Sequence, residues 1–220
     1  MRGAITINYS SSHSATYEKD TSQIALISNQ KTLVAAYDSL GLADIGKDKS
    51  PSGIHSKYSR IKICVIDFSK KPSIYLNFFL KPAEIRRIYW QSRIVKGGKE
   101  YKIYWAKKKE KQGKIIAETM TISHEPWVDD DKSIASNYPW KIYIATGEYK
   151  NGPASPTYDK KCFKRLSDDE FGDFFSIIVS YLNAWETIIG APLIKALQEK
   201  KSRRFVEVDE TLDDVNIEEN

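Results

Sequence analysis

The chain has 220 residues, 41% of them apolar, and a formal net charge of +5. This length and apolar content suit one domain with a sizeable core, and no apolar run approaches the roughly 20 residues of a membrane span. The first residues carry one arginine and no apolar stretch, which predicts no secretory signal. Cys64 and Cys162 lie far apart without metal-like spacing, so we expect two reduced thiols and a cytoplasmic location.

The charge is unevenly distributed along the chain. Residues 205–220 contain seven acids and no base. Removing these seven from the 29 acids leaves 22 acids against 34 bases, so residues 1–204 carry a net charge of +12. Within that part, residues 57–114 hold 17 bases against four acids. Such an excess attracts polyanions at long range; the alternative is a charged surface that only keeps the protein soluble.

Residues 1–54 are predicted to form an N-terminal arm with one short helix. Residues 8–23 are polar and rich in serine, which is typical of a loop. The helix is expected over residues 29–40, where apolar side chains recur at helical spacing and Gly41 follows as a stop.

Residues 55–200 are predicted to form the main domain. Alternating apolar residues indicate strands over 60–67 and 73–80, and a short helix with Pro82 in its first turn is expected over 81–91. Three further strands are predicted in the second half, over residues 100–107, 114–123 and 140–149.

A long apolar helix is predicted to begin after Ser167. Ser167 and Glu170 have the spacing of a capping box, in which each residue satisfies a backbone N–H of the other. The buried stripe of this helix is expected at Phe171, Phe174, Phe175, Ile178, Tyr181, Leu182 and Trp185. A second helical piece over residues 191–201 is expected to lead into a basic junction and a flexible acidic tail over 201–220.

The two halves of the main domain share a sequence pattern at the start of their helices. The stretch LKPAEIRRIY at 80–89 aligns without gaps with LSDDEFGDFF at 166–175, and each follows a strand-rich segment. We therefore expect an α+β fold of two antiparallel β-meander-plus-helix units, with the helices packed on one face of the sheets.

The strongest functional signal is the tripeptide Lys-Ile-Tyr, which occurs in two predicted strands at residues 102–104 and 141–143. Because side chains alternate across a strand, the apolar neighbours form an inner face and the lysines and tyrosines form an outer face. Lysines bind phosphates and exposed tyrosine rings stack on unpaired bases, whereas the alternative is an ordinary solvated sheet face. The predicted binding residues are Lys62, Tyr75, Lys102, Tyr104, Lys107, Lys108, Lys109, Lys141 and Tyr143.

Enzyme hypotheses find less support in the residues. The loop acids Asp129, Asp130 and Asp131 could bind a divalent ion in a metal-dependent nuclease, but an ordinary solvated loop explains them better. His124 and Glu125 have no partnered nucleophile, and the chain has no glycine-rich phosphate loop. We expect no catalytic residue, metal or cofactor. Two non-catalytic hypotheses compete with binding on an open sheet face: an OB-fold single-strand binder and a protein–protein adaptor.

Three stretches carry a resemblance to a known family: FFLKPAEIRRIY, the strand pair KEYKIYWAKKK and KIIAETMTIS, and KCFKRLSDDEFGDFFSIIVSYLNAW. Over roughly residues 55–190 the chain resembles the Whirly and PC4-like family of single-stranded DNA-binding proteins. The Lys-Gly-Lys-Ala-Ala type of motif found in the plant members has no counterpart in this chain.

The resemblance implies a non-catalytic, sequence-tolerant single-stranded DNA-binding protein that acts in replication, recombination or transcription, with RNA as the alternative ligand. It also implies a homo-oligomer, either a dimer or a tetramer. The acidic tail is expected to recruit replication or recombination proteins, or to occupy the basic face of its own chain.

Overall fold

A computed structural model describes residues 22–42, 54–95, 100–125, 137–148 and 158–213 of the chain. Four antiparallel strands in chain order form sheet 1: β1 (Gln23–Ser28), β2 (Thr32–Ser39), β3 (Arg60–Asp67) and β4 (Ile74–Leu80). Helix α1 (Pro82–Ser92) follows β4. The same order then recurs in sheet 2: β5 (Tyr101–Lys111), β6 (Lys114–His124), β7 (Trp140–Glu148) and β8 (Lys160–Leu166), followed by helix α2 (Asp168–Asp213). The expected α+β architecture of two meander-plus-helix units is confirmed.

One hydrophobic core joins the inner faces of both sheets and the two helices. Its buried side chains include Ile63 and Phe78 from sheet 1, Met120 and Ile142 from sheet 2, and Ile85, Phe171 and Phe174 from the helices. Trp140 of β7 stacks on Phe171 of α2 with ring centroids 3.9 Å apart. Because both inner faces close on the same core, the two outer faces point away from each other.

Both helices begin with a glutamate that accepts a hydrogen bond from the backbone N–H of the N-cap residue. Glu170 accepts a hydrogen bond from the Ser167 backbone N–H at 3.0 Å, and the Ser167 hydroxyl accepts one from the Glu170 N–H at 3.1 Å. This is the predicted capping box. At the start of α1, Glu84 accepts a hydrogen bond from the Lys81 backbone N–H at 2.6 Å. The shared sequence pattern thus corresponds to a shared way of starting a helix after the last strand of each sheet.

The predicted helix over residues 29–40 is wrong, because these residues form β2 and the turn before it. The β2 strand is paired on both edges and buried on both faces, so its apolar residues run together and mimic helical spacing. Asn29 sets the turn, since its side-chain oxygen accepts hydrogen bonds from the N–H groups of Lys31 and Thr32. Sheet 1 therefore includes residues that the sequence assigned to the N-terminal arm.

Helix α2 is one element through residue 213, where the sequence predicted two helical pieces and then a junction and tail. Residues 214–220 lie outside the described residues. The hairpin between β5 and β6 turns at Gln112 and Gly113, which both have positive φ, as a two-residue type I′ turn requires.

A polar cluster fastens α1 and α2 to the segment before β3. The His55 ring stacks on Trp185 with centroids 4.9 Å apart, and its Nε2 lies 2.7 Å from a Glu186 oxygen. Arg86 of α1 donates to the other Glu186 oxygen at 2.7 Å. Burial opposes ionisation of Glu186, but the hydrogen bonds from Arg86 and His55 outweigh it and hold the pKa of this carboxyl below its ordinary value.

Both cysteines are free and buried, as expected. Burial raises the pKa of the Cys64 thiol to about 11 and that of the Cys162 thiol to about 12. Thiols of this kind are packing groups with low reactivity. Among the described residues, no helix combines the length and the apolar content that a membrane crossing requires.

Candidate functional site

Four side chains form a line across the outer face of sheet 2, which we call the aromatic row. It consists of Tyr104, Thr121, Tyr143 and Phe163, which the register places side by side on β5 to β8. Tyr104 is 54% exposed, Phe163 is 48% exposed, and Tyr143 is partly buried between them. Because neighbouring strands lie about 4.8 Å apart, the three rings are anchored over a line of roughly 15 Å.

A second line runs beside the first, which we call the basic row. It consists of Lys102, Ser123, Lys141 and Arg165, paired across the same four strands. Each member lies two residues along its strand from the aromatic row, so the two rows are about 7 Å apart. The Lys141 ammonium lies 5.3 Å from the centroid of the Phe163 ring, and this contact connects the rows.

Two further lysines lie on the opposite side of the aromatic row. Lys161 lies two residues before Phe163 on β8 and pairs with Ala145. Lys108 lies four residues after Tyr104 on β5 and pairs with Ala117. Both lysines are exposed. The aromatic row therefore has cationic side chains on both sides.

The tyrosines of this face are neutral at physiological pH. Desolvation and then a hydrogen bond with Tyr158 raise the pKa of Tyr104 to about 12. Desolvation and the nearby Tyr158 also raise the pKa of Tyr143. Neutral phenol rings do not repel phosphate, so they can lie next to a polyanion without an electrostatic cost.

Glu125, directly after β6, reaches onto the basic row. Its Oε2 lies 3.2 Å from the Arg165 guanidinium and 3.5 Å from the Lys141 ammonium, while its Oε1 accepts a hydrogen bond from the Ser123 hydroxyl at 2.6 Å. Burial opposes ionisation, but Ser123, Lys141 and Arg165 together lower the pKa of Glu125. The carboxylate is therefore charged at neutral pH and offsets part of the positive charge of the row.

The structure brings together four of the predicted residues, Lys102, Tyr104, Lys141 and Tyr143, and places Lys108 on the same face. Lys62 and Tyr75 lie instead on the outer face of sheet 1. There the Lys62 ammonium sits 4.3 Å from the Tyr37 ring centroid, and the Tyr75 hydroxyl accepts a hydrogen bond from Asn77 at 3.5 Å. Since the outer faces of the two sheets point apart, Lys62 and Tyr75 do not join the aromatic and basic rows.

The lysine cluster of β5 is split between the two faces of the strand. Lys107 lies on the inner side, where its ammonium donates to the Phe79 carbonyl and lies 4.2 Å from the Phe78 ring centroid. Burial lowers the pKa of Lys107. Lys109 points to the same side and pairs with Glu118 at 2.9 Å. Strand alternation explains this division, because only Lys108 shares the orientation of Tyr104.

Sequence reasoning missed the contribution of β8, which brings Lys161, Phe163 and Arg165 to the outer face. The signal was present in the alternation of KKCFKRL, whose Cys162 and Leu166 are buried while Phe163 is exposed. From the sequence, residues 160–161 belong to a stretch over 150–161 that is expected to be a loop because of its Pro, Gly, Asn and Asp content.

The candidate catalytic groups do not assemble into a site within the part of the chain that is described. His124 is buried with its ring against Trp140 at 4.8 Å and its Nε2 3.6 Å from Asp168, so it helps to anchor α2. No group of three or more potential metal-binding side chains occurs among the described residues. Asp129, Asp130 and Asp131 lie outside those residues.

Comparison with known proteins yields similarity of structure only. No family model matches the sequence, and no curated protein matches it. The plant transcriptional regulator PBF-2 matches with a TM-score of 0.42 and 12% identity, over 74% of this chain and 92% of that one. WHY3 from Arabidopsis thaliana matches with a TM-score of 0.45 and 12% identity, over 79% of this chain and 94% of that one. Both are Whirly proteins, the family that the sequence resembles. At TM-scores below 0.5, neither match bears on what this chain binds.

Proposed function

We propose that the chain binds single-stranded DNA, with RNA as the alternative ligand, on the outer face of sheet 2. Binding is tolerant of sequence and involves no catalysis. The observation that carries the proposal is the aromatic row with cationic side chains on both sides. A nucleotide has a flat apolar base and an anionic phosphate, and this face offers adjacent positions for both.

The aromatic row favours single strands over duplexes. In a duplex the base faces are stacked on one another, whereas in a single strand they are open to an exposed ring. Tyr104 and Phe163 expose about half of their surface, and Tyr143 lies between them. Stacking is worth about 1–3 kcal/mol per base and discriminates poorly among bases, so binding is expected to be sequence-tolerant.

The cations of this face bind the phosphates. Five basic side chains point outward from sheet 2: Lys102, Lys108, Lys141, Lys161 and Arg165. Glu125 and Glu110, which points outward from β5 on the same side as Lys108, cancel two of these charges. Three net charges at about −0.7 per neutralised phosphate predict that a plot of log affinity against log salt concentration has a slope of about −2.

The finer assignments are part of the same proposal. The resemblance of the sequence supports a homo-oligomer, dimer or tetramer, that acts in replication, recombination or transcription. The acidic segment over 205–220 supports recruitment of other proteins of these processes. Two buried free thiols suit the reducing cytoplasm.

The decisive experiment is a salt titration of the full chain with a fluorescent oligothymidylate and with a duplex of equal length. The wild type is expected to prefer the single strand and to show the slope of about −2. Tyr104→Ala, Tyr143→Ala and Phe163→Ala should each weaken single-strand binding by about fivefold to one hundredfold, the equivalent of one lost stack.

The matched control is Tyr58→Ala, which removes a 74% exposed tyrosine from the segment before β3, outside sheet 2. This variant should bind like the wild type. If the three row variants also bind like the wild type while remaining folded, the aromatic row is not the binding site. Equal affinity for duplex and single strand would contradict the proposal as well.

A further inference from the structure

One acidic side chain occupies the centre of the basic row. The carboxylate of Glu125 lies against both Arg165 and Lys141 and is held in place by the Ser123 hydroxyl. The side chain of Arg165 is only 12% exposed and that of Lys141 is 27% exposed. Little of either cation is therefore open to a phosphate while Glu125 is paired with both.

We propose that Glu125 is a built-in competitor for phosphate that sets the affinity of the outer face of sheet 2 for polyanions. This inference rests on the proposed function, because it assumes that the basic row binds phosphates. A carboxylate and a phosphate present the same kind of anionic oxygen to a guanidinium and an ammonium group. A phosphate that binds between Arg165 and Lys141 must therefore displace the carboxylate of Glu125.

The geometry separates this role from that of an ordinary surface ion pair. Glu148 pairs with Lys114 at 3.3 Å near the β5–β6 hairpin, with a lysine side chain that is 63% exposed. Glu125 instead has three partners from β6, β7 and β8, and all three belong to the basic row. Its Ser123 hydrogen bond holds it on this face whether or not the cations release it.

The test compares Glu125→Gln with Glu148→Gln in the full chain. Each change removes one negative charge from the protein, so the general effect of net charge is the same in both. Glutamine at 125 retains the shape of the side chain and can still accept the Ser123 hydrogen bond. We expect Glu125→Gln to bind oligothymidylate about threefold to fivefold more tightly than Glu148→Gln, the equivalent of one partly exposed ion pair.

The salt dependence provides a second readout. One more phosphate neutralised at the basic row should steepen the log–log slope of Glu125→Gln by about 0.7. Glu125→Asp retains the charge and should remain within about twofold of the wild type. Thermal melting of each variant checks that the fold is intact.

Inorganic tripolyphosphate, measured by calorimetry, separates this inference from the proposed function, because it has no base to stack. Glu125→Gln is expected to bind it more tightly than the wild type and Glu148→Gln do. If oligothymidylate binds all variants and Glu125→Gln equals Glu148→Gln with both probes, the competitor role is overturned while the proposed function stands. If Glu125→Gln binds tripolyphosphate more tightly than Glu148→Gln does, but no variant binds oligothymidylate, then Glu125 competes for anions and the proposed function fails.

Discussion

Lys164 is a buried lysine on the inner face of sheet 2, and its removal is expected to stabilise the protein. The residue is 3% exposed, and its ammonium has a long hydrogen bond of 3.5 Å to the Thr32 carbonyl. Burial lowers the pKa of Lys164 from an ordinary value of 10.5 to about 8, although Glu170 partly opposes this change. At neutral pH the folded protein therefore holds a charge that would be better solvated in the unfolded chain.

The magnitude follows from the difference between the two pKa values. One pKa unit corresponds to about 1.36 kcal/mol, so a change from 10.5 to about 8 costs on the order of 3 kcal/mol of stability below pH 8. Between pH 8 and 10.5 the unfolded chain binds more protons at this site than the folded protein, so stability rises with pH in that window. Above 10.5 both states are neutral and the cost disappears.

Lys164→Met, which retains the length of the side chain without its charge, should raise the free energy of unfolding by about 2–3 kcal/mol at pH 7. The measurement is urea unfolding at pH 7 and pH 10, where the gain over the wild type should shrink by about 2 kcal/mol. Lys161→Met, an exposed lysine in the same strand, is the control and should change stability by less than about 0.5 kcal/mol. A Lys164→Met protein that is less stable than the wild type at pH 7, or a gain that does not vary with pH, would refute the reasoning.

Two further predictions concern the attachment of the helices. Ser167→Ala should lower the free energy of unfolding by about 1 kcal/mol, because the Glu170 N–H loses the hydrogen bond to the Ser167 hydroxyl. Lys81→Ala is the control and should change the free energy of unfolding little, since Lys81 makes no side-chain cap hydrogen bond. Chemical denaturation of both variants measures the difference. Glu186→Gln should lower stability at pH 7 by up to about 1 kcal/mol and progressively less as the pH falls below 4.5, since the lowered pKa of Glu186 contributes stability only while the group is charged. Equal losses at pH 7 and pH 3 would argue against the ionic contribution of Glu186.

Residue alternation was sufficient to predict the core of the candidate site. The repeated Lys-Ile-Tyr places Tyr104 and Tyr143 outward and their apolar neighbours inward, and both tyrosines lie on the outer face. The same rule places Lys107 with Trp105 on the inner side, so grouping Lys107 with Lys108 by charge conflicts with strand geometry. Within a strand, the odd or even position of a residue is better evidence for the face that its side chain occupies than the residue type is.

Contacts between strands that are distant in sequence could not be predicted. The position of Glu125 between Lys141 and Arg165 depends on the register of β6, β7 and β8, and nothing in the single sequence specifies that register. The helix expected over residues 29–40 failed for a related reason. A strand that is buried on both faces does not alternate between apolar and polar residues. Only its pairing with neighbouring strands then distinguishes it from a buried helix.

The shared core makes the two halves of the molecule thermodynamically inseparable. Each sheet covers the inner face of the other, so a fragment that ends after α1 would leave an apolar sheet face in water with no partner to cover it. The protein is thus a single cooperative unit despite its repeated architecture, in contrast to solenoid repeats that add stability one unit at a time. Loss of packing in sheet 1 would therefore also melt the face that carries the aromatic row, although that row lies on the far side of the molecule.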